Sequence, residues 1–111
     1  MVDIWYKFLS AARGDKEAAL AALTPSQLAE GHEMLTRVLE TRAKLLGAGH
    51  IATGESKYTL GLLHTLRGDK QGGIECVSFA SEIYTKHLGP EHPSTRDTLA
   101  CLQELNMSPD V

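Results

Sequence analysis

The sequence has little that would suit a secreted or membrane-spanning protein. It contains only two cysteines, Cys76 and Cys101, which are too few and too far apart for a disulfide framework or a zinc knuckle. Its longest apolar runs are only a few residues, far below the about 20 residues that span a bilayer. The first seven residues include an acidic side chain and no long apolar stretch, unlike a signal peptide. We therefore expect a cytoplasmic protein with no membrane partner.

A basic net charge and known catalytic motifs are also missing. The net charge of -3 leaves no basic surface for nucleic acid, so no nucleic-acid partner is predicted. The sequence contains no phosphate-binding P-loop, no His-Glu-x-x-His zinc pair and no Gly-x-Ser-x-Gly nucleophile elbow. The glycine-rich segment 47–54 has the wrong glycine spacing for a dinucleotide loop, and a helical pattern precedes it. We predict no catalytic, cofactor-binding or metal-binding residues.

An eight-residue segment that recurs is the most informative feature that is present. Residues 46–53, LGAGHIAT, correspond to residues 88–95, LGPEHPST, at an offset of 42. Further identities at the same offset are Gly31 and Gly73, Glu40 and Glu82, Lys44 and Lys86, Leu60 and Leu102, and Leu63 and Leu105. A period of this size is typical of repeated supersecondary units.

A second echo is the tetrapeptide Arg-Gly-Asp-Lys at residues 13–16 and 67–70. The two copies are 54 residues apart, 12 more than the main period, which indicates an insertion in the first repeat. The tripeptide Arg-Gly-Asp also occurs in integrin ligands. We favour a structural role, because a turn between helices needs a permissive glycine and aspartate can cap the next helix.

The sequence between these repeated segments has the periodicity of helices, and no strand pattern is present. Thr24, Pro25 and Gln27 form a capping-box signature for a helix start. Gly89 and Pro90 end a later helix. The predicted fold is all-α in a single domain over 1–105, with an irregular first repeat (1–47), a second repeat (48–89), a terminal helix (90–105) and a polar tail (106–111). The predicted helices are 3–13, 16–22, 25–46, 52–66, 71–88 and 94–105.

The five histidines do not form a metal-binding pair in sequence. His32, His50, His64, His87 and His92 include no two at i and i+4, so we interpret them as isolated imidazoles. His50 and His92 recur in the repeated segment. Their predicted role is to hydrogen-bond backbone groups that are left free at helix ends.

The repeated segment resembles the tetratricopeptide repeat, and in particular its kinesin light chain variety with a Leu-Gly-x-x-His-Pro link. Residues 88–93 match that link, and residues 46–51 match it except at the proline. In the second repeat Leu60, Gly61, Gly68 and Ala80 occupy signature positions, whereas Gly73 replaces the usual alanine. The resemblance implies a short solenoid of antiparallel helical hairpins, with about two and a half repeats.

The same resemblance implies a function in protein–protein interaction, as a scaffold or adaptor that is not an enzyme. A partner peptide or helix would bind the concave face, which the first helix of each hairpin lines. The implied partner-binding residues are Ile4, Phe8, Glu55, Tyr58, Leu62, Thr65 and Asp97. Tyr58 is the predicted anchor, although Tyr58 and Leu62 could instead pack against adjoining helices. Thr59 and Cys101 stand where kinesin light chains favour asparagine.

Two alternatives remain open from the sequence. Similar repeats form the C-terminal region of SET-and-MYND lysine methyltransferases, so the chain could be a regulatory part of a larger enzyme. It could also form a homo-oligomer, because a short array leaves apolar faces at its ends.

Overall fold

A computed structural model describes residues 23–107, and these residues form four helices. They are α1 (Pro25–Leu46), α2 (Ile51–Leu66), α3 (Lys70–Leu88) and α4 (Pro93–Met107). No strand occurs within 23–107. The all-α prediction is thus confirmed for this part of the chain. No helix in it is long and apolar enough to cross a membrane.

The helix bounds agree closely with the predicted ones. The bounds of α1 are those predicted, and the other three helices each begin one residue earlier than predicted. The assignment of Asn106 and Met107 to a polar tail was wrong, because α4 continues through both residues beyond the buried Leu105. The predicted helices 3–13 and 16–22, the residues Ile4 and Phe8, and the end of the tail lie outside the described residues.

The start of α1 is a complete capping box. The Thr24 hydroxyl oxygen accepts a hydrogen bond from the Gln27 backbone N–H at 3.1 Å, and the Gln27 side-chain oxygen accepts one from the Thr24 N–H at 2.9 Å. Pro25 occupies the first turn, where its missing N–H costs no helical bond. The predicted capping role of these three residues is confirmed.

The two links that share the repeated sequence also share a backbone conformation. Gly47 ends α1 with φ 99° and ψ 152°, and Gly89 ends α3 with φ 88° and ψ 161°. Their N–H groups donate to the carbonyls of Ala43 and Thr85 at 3.0 and 3.1 Å. Only glycine adopts this region of backbone space without strain, so both links require it.

The histidines of the two links cap the helices that follow. The Nδ1 atom of His50 accepts a hydrogen bond from the Ala52 N–H at 3.0 Å, and Nδ1 of His92 accepts one from the Ser94 N–H at 3.1 Å. Each imidazole therefore satisfies a backbone donor that the first turn leaves free. The structural role predicted for these two histidines is confirmed. Asp69 likewise caps α3, accepting from the Gly72 N–H at 2.9 Å.

Helix α2 is the centre of the described structure. Consecutive helices pack against each other, so α2 contacts both α1 and α3, and α4 packs on α3. Ten of the residues of α2 are buried, on all sides of the helix. A helix of this kind belongs inside a core rather than at its surface. The apolar core residues are Leu35, Tyr58, Leu60, Leu62, Leu63, Leu66, Cys76, Val77, Ala80, Ile83, Tyr84, Cys101 and Leu105.

Glycines let α2 and α3 approach each other closely. A Cβ atom added to Gly61 would lie 2.8 Å from Val77 Cγ2 and 3.2 Å from the Gly73 carbonyl oxygen. A Cβ atom added to Gly73 would collide with the Thr65 hydroxyl, which donates to the Gly61 carbonyl at 2.9 Å. This contact explains why position 73 is a glycine.

The inner faces of α2 and α4 follow the 42-residue period. Four pairs of residues at that offset are buried in both helices, although only the first and last pairs are identical: Thr53 and Thr95, Ser56 and Thr98, Thr59 and Cys101, and Leu63 and Leu105. The repeat therefore preserves which positions are buried even where the residue type changes.

The close contact at Gly61 predicts a large effect of one added methyl group. We expect Gly61→Ala to lower the free energy of unfolding by about 1–3 kcal/mol, because the new Cβ overlaps Val77 and the α3 backbone. Urea denaturation checks this. Gly49→Ala is the control, because its Cβ would have no atom within 4 Å. Equal stabilities of the two variants would contradict the packing described.

Equivalent threonines at the two links differ in hydrogen bonding, which gives a second prediction. The Thr53 hydroxyl donates to the Gly47 carbonyl at 2.8 Å, whereas the buried Thr95 hydroxyl has no partner within 23–107. Thr53→Val should cost about 1 kcal/mol. Thr95→Val should leave stability unchanged or raise it, because no bond is lost. Equal destabilisation of the two variants in urea would show that the links are bonded alike.

Candidate binding surface

Tyr58, the predicted anchor, is a core residue that connects three helices. Its side chain is 0% exposed. Its hydroxyl donates a hydrogen bond to Asp97 Oδ2 on α4 at 2.6 Å, and its ring meets that of Tyr84 on α3 edge to face, with centroids 6.5 Å apart. Both contacts lie within the fold, so the observed role of Tyr58 is packing between helices.

Leu62 is also a core residue, with 4% of its surface exposed. The structure therefore agrees with the packing interpretation of Tyr58 and Leu62, and their predicted place in an accessible groove is corrected. Neither side chain can meet a partner unless the helices move apart. The period of an apolar stripe does not distinguish a groove from a core.

Glu55 remains partly exposed and forms a polar cluster with α1. One guanidinium nitrogen of Arg42 lies 3.0 Å from Glu55 Oε1, 2.9 Å from the Ala52 carbonyl oxygen and 3.1 Å from the Ser56 hydroxyl. The two charged side chains are both open to solvent in part, so the pair contributes little to stability by itself. Its main effect is to fix the position of α1 on α2.

Thr65 and Asp97 are also half-buried and bonded within the fold. The Thr65 hydroxyl is held by Gly61, and Asp97 receives the Tyr58 hydroxyl. Of the predicted site, the structure joins Tyr58 and Asp97 directly, whereas Glu55 is tied to α1 and Thr65 faces α3. Glu55, Thr65 and Asp97 keep some exposure, and their role toward a partner stays a prediction.

One stripe of α2 makes its contact with α3. The stripe consists of Gly54, Lys57, Tyr58, Gly61 and Thr65. These residues face, in the same order, Ile83, Phe79, Tyr84, Val77 and Gly73. The spacing of three or four residues between most members is that of one helix face.

The equivalent stripe of α4 is exposed. Moving 42 residues along the sequence from the α2 stripe gives a set that we call the outer face of α4: Arg96, Leu99, Ala100, Gln103 and Met107. All five are exposed, with Leu99 at 47% and Met107 at 75%. At the 42-residue offset, α4 thus buries the same core-facing positions as α2. It exposes the positions that in α2 contact α3.

Sequence reasoning missed this surface because it looked for binding residues on the concave side. The signal was already available in the 42-residue offset, which relates each residue of α4 to one of α2. The sequence alone did not show which residues of α2 contact α3. Those contacts depend on how the two helices pack, over distances well beyond one helix turn.

The outer face of α4 has chemistry suited to binding rather than to catalysis. It combines apolar Leu99, Ala100 and Met107 with one amide and one guanidinium group, and it has no nucleophile or general base. In comparisons with known proteins, no family model, no curated protein and no solved structure matches this chain.

The hydrogen bond between Tyr58 and Asp97 predicts a measurable coupling between α2 and α4. We expect Tyr58→Phe to lower the free energy of unfolding by about 1–2 kcal/mol, since a bond to a charged but half-exposed acceptor is lost. In an Asp97→Ala background, which has no acceptor at position 97, the same change should cost less. Chemical denaturation of the four proteins gives the coupling. An identical cost in both backgrounds would mean that the bond does not contribute.

Proposed function

We propose that this protein is a non-catalytic interaction module of the tetratricopeptide type, and that the outer face of α4 binds a helix of another protein. The observation that carries the proposal is the exposure of all five α4 positions that correspond to the α3-binding stripe of α2. Such a helix would pack on α4 much as α3 packs on α2. We place the protein in the cytoplasm.

Contacts between α2 and α3 support an array of antiparallel hairpins. Gly54, near the start of α2, meets Ile83, near the end of α3, whereas Gly61 further along meets Val77 earlier in α3. Successive contacts therefore involve later residues of α2 and earlier residues of α3, which is the pattern of an antiparallel pair. The repeated link geometry at Gly47 and Gly89 supports a regular succession of such pairs.

The residues of the outer face define what kind of helix would fit. Leu99, Ala100 and Met107 offer apolar contact for a helix with its own apolar stripe at spacings of three and four. Arg96 and Gln103 replace Gly54 and Gly61 of α2, so the bound helix would lie farther from α4 than α3 lies from α2. Arg96 favours a carboxylate on the partner, because a guanidinium group pairs well with one.

A charge placed at Leu99 tests the surface. We expect Leu99→Asp to abolish partner capture, because a carboxylate would be desolvated in an apolar contact. The matched control is Leu45→Asp at the end of α1, where an exposed leucine (75%) lies off the outer face. Tagged full-length protein and both variants would be compared by quantitative mass spectrometry of captured proteins, with circular dichroism to confirm that each is folded.

Three outcomes separate the possibilities. Proteins lost with Leu99→Asp and retained with Leu45→Asp would support the proposal. Capture that both variants retain would contradict it. If sedimentation instead shows a homo-oligomer that Leu99→Asp alone dissociates, the outer face joins two copies of this chain and the proposed partner is wrong.

A further inference from the structure

Two histidines that are far apart in the sequence meet between α1 and α2. The ring centroids of His32 and His64 lie 5.2 Å apart, with the ring planes at 71°. They are on different helices, so a search for i and i+4 pairs could not find them. The contact lies at the α1–α2 interface and is separate from the outer face of α4.

A carboxylate adjoins one of the two rings. Asp69 Oδ2 lies 3.4 Å from His64 Nδ1. Asp69 is itself fixed, because its other oxygen accepts the Gly72 N–H at the start of α3. An acceptor beside Nδ1 favours the tautomer with the proton on that atom, and this leaves the lone pair on Nε2. Carboxylates hold metal-binding histidines in this way in many proteins.

The distance between the rings fits a shared metal ion. Two imidazoles on one tetrahedral Zn²⁺, with Zn–N bonds of about 2.1 Å, hold their centroids roughly 5 Å apart. We propose that His32 and His64 form a two-imidazole site for a divalent cation of the zinc type, oriented by Asp69. Water would complete the coordination. The bound ion would connect α1 to α2.

The site is a weak one by its ligand count. Within residues 23–107 no group of three or more histidine, cysteine, aspartate or glutamate side chains could hold a metal ion. Structural zinc sites use four protein ligands and are correspondingly tight. Two imidazoles give a reversible site, which responds to the concentration of free metal.

Isothermal titration of the full-length, tag-free protein with ZnCl₂ tests the proposal. We expect one site that is lost in both His32→Gln and His64→Gln. Asp69→Asn should weaken it about 10–100-fold by removing the orienting charge, while asparagine still caps α3. His87→Gln is the control, because His87 bonds the Gly49 carbonyl instead, at 2.8 Å.

Thermal unfolding with and without ZnCl₂ provides a second readout that does not depend on heat of binding. The metal should raise the melting temperature of the wild type and of His87→Gln, and leave that of the His32 and His64 variants unchanged. Circular dichroism would establish that each variant is folded. The proposal is overturned if the wild type binds no zinc at millimolar concentration, or if either single variant binds as the wild type does.

Discussion

The close contact between α2 and α3 determines most of the described structure. Gly61 and Gly73 let the two helices touch along their backbones, and the Thr65 hydroxyl occupies the space that a side chain at position 73 would need. With α3 this near, Tyr58 can reach both Tyr84 and Asp97, which ties α4 to the pair. On its other side α2 is held by Arg42 of α1. The glycines cost helix stability in isolation, and packing compensates for that cost.

Repetition explains both what α4 buries and what it exposes. The links before α2 and α4 have the same glycine conformation and the same histidine cap, so the two helices start in the same way. Their inner faces are buried at matching positions. The two helices differ in what covers the next face. The stripe of α2 is covered by α3, whereas the corresponding residues of α4, which include Leu99 and Met107, face solvent. The proposed binding surface is a consequence of this difference.

The sequence was sufficient for features that are decided locally. Helix ends depend on caps such as Thr24, His50 and Asp69 and on glycines with special dihedrals, and these leave direct signatures within a few residues. The burial of Tyr58 and Leu62 could not be predicted, because a stripe of apolar residues shows that something covers it and not whether the cover is a neighbouring helix or a partner. The meeting of His32 with His64 depends on how α1 packs on α2, which no local pattern records.

The most direct test of this account is a double-mutant cycle between Thr65 and Gly73, measured as free energies of unfolding in urea. Gly73→Ala should destabilise the wild type, because the new Cβ meets the Thr65 hydroxyl. In a Thr65→Ala background the same change should cost less or become stabilising, since alanine is more favourable than glycine in a helix by about 1 kcal/mol. If Gly73→Ala has the same effect in both backgrounds, the two residues are not in contact and the close packing of α2 on α3 is incorrect.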